Sequence, residues 1–375
     1  MRWTDELLDG MRRRGDPPAD EVLAAIHDAE GLEAVNAVLS TMVRNAGTPS
    51  RSLPPTVRCY LAEQQSPPTA EERPLVDEAE AFFATHGVTV LMLLGFSSLP
   101  QTYASKNGSH VLVFTQRLTR DTQRRVMETF QFILDALSPG GLSSGGKGLR
   151  DAQKIRLMHA AIRRYVSAQP DYDEAWGVPV NQEDLAGTML AFSTVILDGF
   201  RTLGIPLTAR QELAFFTAWK VLGRNLGVVP ELMPTGPDDG RVLFDRIRDR
   251  QWGPSDSGRQ LIDAIVAFYD TFMPGFLATM PATQIRHFAG DRCADALGLP
   301  PADWTGLVLA AANLLDRELH HVEDRSAALS AVGEHVTLGV LRGMEGTLRG
   351  DRPLFQIPLP LRGRWFPDEP DDAER

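Results

Sequence analysis

A single histidine lies in the middle of an apolar helical stripe at residues 154–165, which read KIRLMHAAIRRY. At about 100° per residue, one face of this helix carries Ile155, Met158, Ile162 and Val166. His159 falls within that face, and Arg156 and Arg163 neighbour it because residues three and four apart adjoin on a helix. A core histidine bonded to a backbone carbonyl, with arginines reaching water, explains the pattern. A metal-ligating histidine with arginines that hold an anionic cofactor is the alternative, and this stretch alone favours the core histidine.

A second helical segment, RRVMETFQF at residues 124–132, carries Arg125 and Thr129 four residues apart and therefore on one face. Glu128 precedes Thr129 and lies about 100° away around the helix. A surface arginine and a threonine bonded to its own helix backbone account for these residues without any function. The segment gains interest only when it is considered together with the histidine helix.

Two other motifs are weak. GLSSGGKG at residues 141–148 nearly matches a phosphate-binding loop, but Gly148 follows Lys147 where a hydroxyl residue would hold magnesium, and a helix precedes it where the motif needs a strand. We interpret it as a flexible connection.

Near the C-terminus, Glu318 and His321 form one Glu-x-x-His pair, whereas a di-iron bundle needs two. A solvated helix end is favoured over a mononuclear metal site there.

The composition excludes several function classes. A net charge of −11 argues against a nucleic-acid partner, because such proteins need a basic face to replace counterions. Two cysteines, Cys59 and Cys293, are too few for a disulfide framework and suit a reducing compartment. The N-terminal residues lack an apolar signal region, and the longest apolar run, residues 88–94, is far shorter than the ~20 residues that span a bilayer. We therefore expect a cytoplasmic protein without a transmembrane segment.

Helical periodicity dominates the chain. An apolar-periodic helix is predicted from Pro74 to near Gly95, and one long helix is predicted over residues 181–204, with Asn181 as its N-cap. Another is predicted over residues 208–227, closed by Gly227. Residues 111–118, VLVFTQRL, fit either a strand or the start of a helix.

The absence of βαβ alternation and of repeats predicts an all-α fold, a compact multi-helix bundle. We expect one domain over residues 1–365, followed by an acidic, disordered tail at residues 366–375.

Collinear segments resemble the latex-clearing-protein (rubber oxygenase) family, within the wider group of helical haem-b oxygenases that includes the MpaB-type enzymes. The main matches are GLRDAQKIRLMHAAIRRYV at residues 148–166 and VPVNQEDLAGTMLAFS at residues 178–193. Further matches are LLDGMRRRGDPPADEVL, SSLPQTYASKNGSHVLVFTQRL and IRHFAGDRCADALGLP. The combination of RLMHAAIR with NQEDLAGT is specific, whereas no single piece would be.

The resemblance implies a globin-like core that holds haem b, with His159 as the axial ligand. It also implies that Arg125 and Thr129 line the distal side of the haem, and that Arg156, Arg163 and Arg286 help to retain it. Imidazole is a standard haem ligand, and arginines form charge-assisted pairs with buried carboxylates. Should His159 not bind the iron, the histidines to test next are His110, His287 and His321.

The sequence departs from the latex-degrading members at two distal positions. Where they carry a lysine that can close onto the iron, this chain has Glu128, an acid able to relay a proton to bound oxygen or to pair with a neighbouring arginine at the surface. Their proposed catalytic glutamate is replaced by Ser109. With no export signal in view, these differences favour an oxygenase that uses O2 on a hydrophobic unsaturated or aromatic small molecule. A peroxidase or peroxygenase using H2O2, a haem sensor or carrier, and a decayed scaffold are the alternatives.

Overall fold

The computed structural model describes residues 2–44, 53–115, 122–272, 279–303 and Thr337. The elements in these ranges are helices, and no β-strand occurs among them. The predicted all-α class is therefore confirmed. The predicted acidic tail at residues 366–375 and the Glu318–His321 pair lie outside the described residues.

The helices follow one another through short connections. In chain order they are α1 Asp5–Arg12, α2 Pro17–Arg44, α3 Pro55–Glu63, α4 Arg73–Leu93, α5 Leu99–Tyr103, α6 Ser109–Phe114, α7 Thr122–Leu137, α8 Lys147–Ser167, α9 Gln182–Ala191, α10 Thr194–Thr202, α11 Ala209–Asn225, α12 Pro237–Gln251, α13 Asp256–Asp270, α14 Met280–Ala289 and α15 Asp291–Ala296. A π-helical turn, Leu94–Ser98, joins α4 to α5. Two short 3₁₀ turns, Glu174–Trp176 and Pro230–Leu232, follow α8 and α11.

Two apolar clusters hold these helices together. The larger surrounds α4, which packs along α11, and it includes the inner faces of α7, α9, α12, α13 and α14. The smaller lies between α2, α3 and α8. The histidine helix α8 therefore contributes one side to the smaller cluster and another to the space between the two clusters. The expectation of one domain over residues 1–365 stays a prediction.

The central apolar helix does not end at Gly95 as predicted. The chain continues from α4 through the wide turn Leu94–Ser98 directly into α5. Gly95 is needed because a Cβ there would lie 2.5 Å from the hydroxyl oxygen of Tyr269, whose ring is buried against this turn. The glycine thus permits a close helix contact and does not act as a stop signal.

The joined segment Arg73–Tyr103 is the one described helix whose length and apolar content would suffice to cross a membrane. Of its apolar window, 72% is buried inside the protein, as in the core helix of a globular fold. The expectation that the chain has no transmembrane segment remains a prediction.

The helix predicted over residues 181–204 is two helices, α9 and α10. Its start is as expected, since the Asn181 side chain accepts a hydrogen bond from the backbone N–H of Asp184 at 3.0 Å. The break falls at Ser193, whose hydroxyl donates to the Met189 carbonyl at 2.8 Å, while the Thr194 hydroxyl donates to the Leu190 carbonyl at 2.8 Å. Two consecutive hydroxyl side chains bonded back to the preceding turn favour a bend at this point.

Two further segments differ from or resolve the sequence prediction. Residues 138–148 were expected to be a flexible loop. Helix α8 begins at Lys147, and the residues before it form a packed turn in which Leu142 is fully buried. A Cβ on Gly141 would lie 2.3 Å from the carbonyl oxygen of Asp135, so the backbone itself packs against the end of α7. The ambiguous run at residues 111–118 begins within helix α6.

Candidate functional site

A cavity of about 280 Å³ lies between α5, α6, α7, α8, α9 and α12. Its walls are mostly apolar, and its size is close to the lower end of the ~300–1,000 Å³ found for ligand sites. Four of the predicted site residues line it: Arg125, Glu128, Thr129 and His159. The structure therefore brings together two segments that the sequence analysis singled out separately.

The histidine wall of the cavity is the face of α8 expected from its periodicity. Ile155, Met158, His159 and Ile162 all line the space. His159 is partly buried, with its Nδ1 atom fully shielded from solvent. A single imidazole therefore lies in an apolar wall, where it can bind a ligand enclosed by the cavity.

The second wall is formed by α7. Glu128 is buried, and its Oε2 atom lies 3.7 Å from Nη1 of Arg125. The Thr129 hydroxyl donates to the Arg125 carbonyl at 2.9 Å, so its proton is already used within the helix. Glu128 does pair with Arg125 as one interpretation expected, but it does so inside the cavity wall and not at the protein surface.

Arg156 and Arg163 do not line the cavity, because both are directed toward the start of α2. The Arg156 guanidinium donates from Nε and Nη2 to the two carboxylate oxygens of Asp16, at 2.5 and 2.7 Å. Arg163 donates from Nε to Asp20 at 2.7 Å and from Nη1 to the Val180 carbonyl at 3.2 Å. These arginines tie the histidine helix to α2.

Helical geometry explains the separation of the arginines from the cavity. At 100° per residue, Arg156 and Arg163 lie about 60° and 40° to one side of His159, whereas Ile155 and Ile162 lie about 40° and 60° to the other side. His159 is thus at the boundary between a stripe that faces the cavity and a stripe that faces α2. Arg156 and Arg163 are therefore neighbours of His159 on the helix, but their side chains do not face the cavity.

Arg286 also lies away from the cavity lining. Its guanidinium donates to the carbonyls of Pro300 and Leu299, at 2.9 and 2.8 Å, and forms ion pairs with Asp291 and Asp295 at 2.9 and 2.8 Å. These bonds fasten the end of α14 to α15 and to the chain that follows.

A buried polar cluster at the start of α9 was missed by the sequence analysis. Glu183 is fully buried and accepts hydrogen bonds from Arg12 at 3.2 Å, Arg250 at 2.9 Å and Gln251 at 2.9 Å. Burial raises the pKa of the Glu183 carboxyl, although the two arginines favour its charged form. The cluster joins α1, α9 and α12, and two of its members, Glu183 and Gln251, also line the cavity. Its members are too far apart in sequence to be recognised from spacing.

Arg248 and Trp252, near the end of α12, also line the cavity and were not predicted. The Arg248 guanidinium carbon lies 5.5 Å from the centre of the Trp252 ring. The available signal was the spacing of four residues, which places both side chains on one helix face, but this spacing alone does not show that the face lines a cavity.

The other described histidines are not in the cavity lining. His110 stacks on Trp176, with ring centres 3.7 Å apart, and burial lowers its pKa. His287 packs edge-on against Phe288, and burial lowers its pKa as well. Ser109 is buried and lies 2.7 Å from the hydroxyl of Ser257, so it serves the packing of α6 on α13.

The side chains of the cavity suit a metal ion whose other ligands come from a cofactor. Within the ranges that the structure describes, no group of three or more His, Cys, Asp or Glu side chains is placed to hold a metal ion. A porphyrin-bound iron, by contrast, needs one axial side chain and an apolar slot. His159 in the apolar cavity meets that requirement.

Comparison with known proteins agrees with the fold. Residues 81–317 match the model of the family described as ER-bound oxygenase mpaB/B'/Rubber oxygenase, catalytic domain. A rubber oxygenase from Streptomyces sp. (strain K30) is 23% identical over 287 residues, which cover 76% of this chain and 70% of that protein.

The solved structure of latex clearing protein LCP in the closed state superimposes with a TM-score of 0.73 at 22% identity, over 88% of this chain and 91% of the other. At that identity the likeness shows a shared fold. The family match includes α7, α8 and α9, which carry the walls of the cavity. Because this match extends over more than half of the sequence, the chain belongs to the mpaB/rubber oxygenase family of oxygenases.

Proposed function

We propose that this oxygenase depends on haem b and uses O2 to oxygenate or cleave a hydrophobic, unsaturated or aromatic small molecule. The observation that carries the proposal is the placement of His159 in the wall of an apolar cavity that also contains Arg125 and Glu128. One imidazole, two arginines and three carboxylates lie in the wall of a space otherwise lined mainly by hydrocarbon.

His159 is the residue that would hold the iron, through a ring nitrogen. Bound haem supplies the iron chemistry that activates dioxygen toward a carbon–carbon double bond or an aromatic ring. Arg125 adds a fixed positive charge to the cavity wall, which stabilises negative charge on oxygen atoms more strongly in a dry site than in water.

Glu128 is positioned to hold or pass a proton at its Oε2 atom, next to the Arg125 guanidinium. Thr129 can accept a hydrogen bond with its hydroxyl oxygen while its own proton is bonded to the Arg125 carbonyl. The aliphatic and aromatic side chains of the remaining wall exclude water and orient an apolar substrate.

The apolar character of the cavity supports the proposed substrate class. The curated relative is named a rubber oxygenase, so its name refers to an unsaturated hydrocarbon polymer. The cavity described here shares the apolar character that such a substrate requires. We place the protein in the cytoplasm, since its two cysteines suit a reducing compartment.

The proposal is tested by replacing His159 with alanine and measuring haem content. We expect the purified wild-type chain to show a haem absorption band and His159→Ala to have little or none. His110→Ala is the matched control, because this histidine is similarly part-buried yet lies outside the cavity lining. Full haem content in His159→Ala with an unchanged spectrum would show that another residue binds the iron.

The co-substrate is tested on the same haem-loaded chain. Polyenes, terpenoids and phenols are offered with O2 alone and with H2O2 under nitrogen. Oxygen uptake matched to product supports the oxygenase, whereas turnover that requires peroxide assigns the site to a peroxygenase.

A further inference from the structure

Two arginines line the cavity among the described residues, Arg125 on α7 and Arg248 on α12. Arg125 lies beside the buried Glu128. Arg248 lies on a different wall, close to the C-terminal end of α12 and beside Trp252. The two cations therefore mark separate parts of the same cavity.

Arg248 retains hydrogen-bonding capacity at its guanidinium group. Its Nε atom is buried and has no hydrogen-bond partner among the described residues. Its ionic partner is Asp245, at 3.0 Å on the same helix, and that carboxylate is 54% exposed. Exposed pairs of this kind contribute little and exchange readily with other anions.

Two arginines outside the cavity lining, Arg12 and Arg250, differ from Arg248 in the burial of an ionic partner. Arg12 and Arg250 both donate to Glu183, whose side chain is 0% exposed. Their charges are neutralised by the protein itself. Arg248 alone among these three combines a place in the cavity lining with a partner that solvent can replace.

Trp252 holds the Arg248 side chain in place. The guanidinium lies over the indole ring at 5.5 Å from its centre, a distance within the range of cation–π contacts. Because both side chains line the cavity, stacking reduces the conformational entropy that Arg248 loses when it binds a ligand. A planar guanidinium fixed in this way matches a carboxylate, which it can bind through two parallel hydrogen bonds.

We propose that Arg248 binds a carboxylate group of a molecule enclosed in the cavity. Two sources have the same chemistry: a propionate of the haem, or a carboxylate on an otherwise apolar substrate. The haem source rests on the proposed function, whereas the substrate source does not. Arg156, Arg163 and Arg286 do not line the cavity and already hold carboxylates of the protein.

The first experiment measures haem transfer to apomyoglobin from the wild-type chain and from Arg248→Gln, each loaded with haem b or with its dimethyl ester. If Arg248 holds a propionate, Arg248→Gln releases haem b about tenfold faster or more, as expected for loss of a charge-assisted bond. The dimethyl ester leaves both proteins at equal rates, because its propionates cannot pair with the guanidinium.

The second experiment measures the binding of dodecanoate and 1-dodecanol by calorimetry. If Arg248 holds a substrate carboxylate, Arg248→Gln weakens dodecanoate binding about tenfold or more and leaves 1-dodecanol binding unchanged. Arg248→Lys keeps the charge without the two-pronged geometry, so it restores part of the affinity.

The matched control is Arg292→Gln. Arg292 lies 5.9 Å from the centre of the same Trp252 ring but is not part of the cavity lining, so its loss changes neither haem release nor dodecanoate binding. Equal behaviour of Arg248→Gln and wild type in both experiments overturns the proposal. A wild-type chain that binds no haem contradicts the proposed function, and dodecanoate binding then decides the role of Arg248 alone.

Discussion

Asp16→Asn removes the carboxylate that both donors of the Arg156 guanidinium contact. Asp16 immediately precedes α2, where asparagine is as favourable a helix cap as aspartate, so the change isolates the ion pair from the cap. Both side chains are buried, 9% exposed for Arg156 and 3% for Asp16. Gly227 packs directly on the pair, since a Cβ there would lie 2.8 Å from Nε of Arg156.

The expected cost is about 3 kcal/mol, at the lower end of the range for a buried pair that loses one partner, because asparagine retains one acceptor oxygen. An unfolding entropy of ~2.1 cal/mol/K per residue gives about 0.8 kcal/mol/K for 375 residues. The melting temperature should therefore fall by about 4 °C.

Calorimetric melting of the haem-free and haem-loaded forms distinguishes two roles for Arg156. A structural tie between α8 and α2 predicts that Asp16→Asn and Arg156→Ala lower the melting temperature of both forms alike. An arginine that holds haem predicts a loss in the loaded form alone, because a ligand stabilises only through the state it binds. Unchanged melting of the haem-free variants, with faster haem release, would refute the structural role.

Two further predictions concern the cavity and the outer helices. Arg125→Ala should keep its haem and lose about 10²–10³-fold in turnover, because the positive charge in the cavity wall is removed. Glu128→Gln should lose less turnover. Oxygen uptake at equal haem content measures both variants. Hydrogen bonds from Arg224 hold the pKa of Glu72 at about 2, below its ordinary 4.5, so this pair stabilises the fold above pH 4.5 and loses its effect as the pH falls toward 2. Glu72→Gln should therefore cost about 2 kcal/mol at pH 7, and urea titrations at a series of pH values should show the difference vanish near pH 2.

Local sequence signals predicted the fold where neighbouring residues determine it. The cap at Asn181 and the end at Gly227, which adopts a φ of 92°, depend on residues within one turn. The bend at Ser193 was missed, because hydroxyl side chains inside a helix are ordinarily tolerated. Gly95 was interpreted as a helix end because the contact that requires a glycine there, the close approach of the Tyr269 hydroxyl, is far away in sequence.

In the candidate site too, local sequence patterns predicted some features, and contacts between distant residues determined the others. Periodicity predicted that His159 shares a face with Ile155 and Ile162, and the cavity lies on that face. The partners of Arg156 and the position of Arg248 depend on how α8 and α12 are rotated against other helices. Asp16 is 140 residues from Arg156, and no local pattern reports such a contact.

The π-helical turn Leu94–Ser98 changes the direction in which side chains project from the helix before it, α4, to the helix after it, α5. A turn that closes on the fifth residue in place of the fourth holds one residue more than an α-turn, and each residue of an α-helix rotates the chain by 100°. With the extra residue in the turn, Leu99 and Tyr103 of α5 line the cavity, while α4 packs on α11. Removing a single residue from the turn would turn both side chains by about that angle, so the shape of the cavity depends on the residue count of a segment that does not line it.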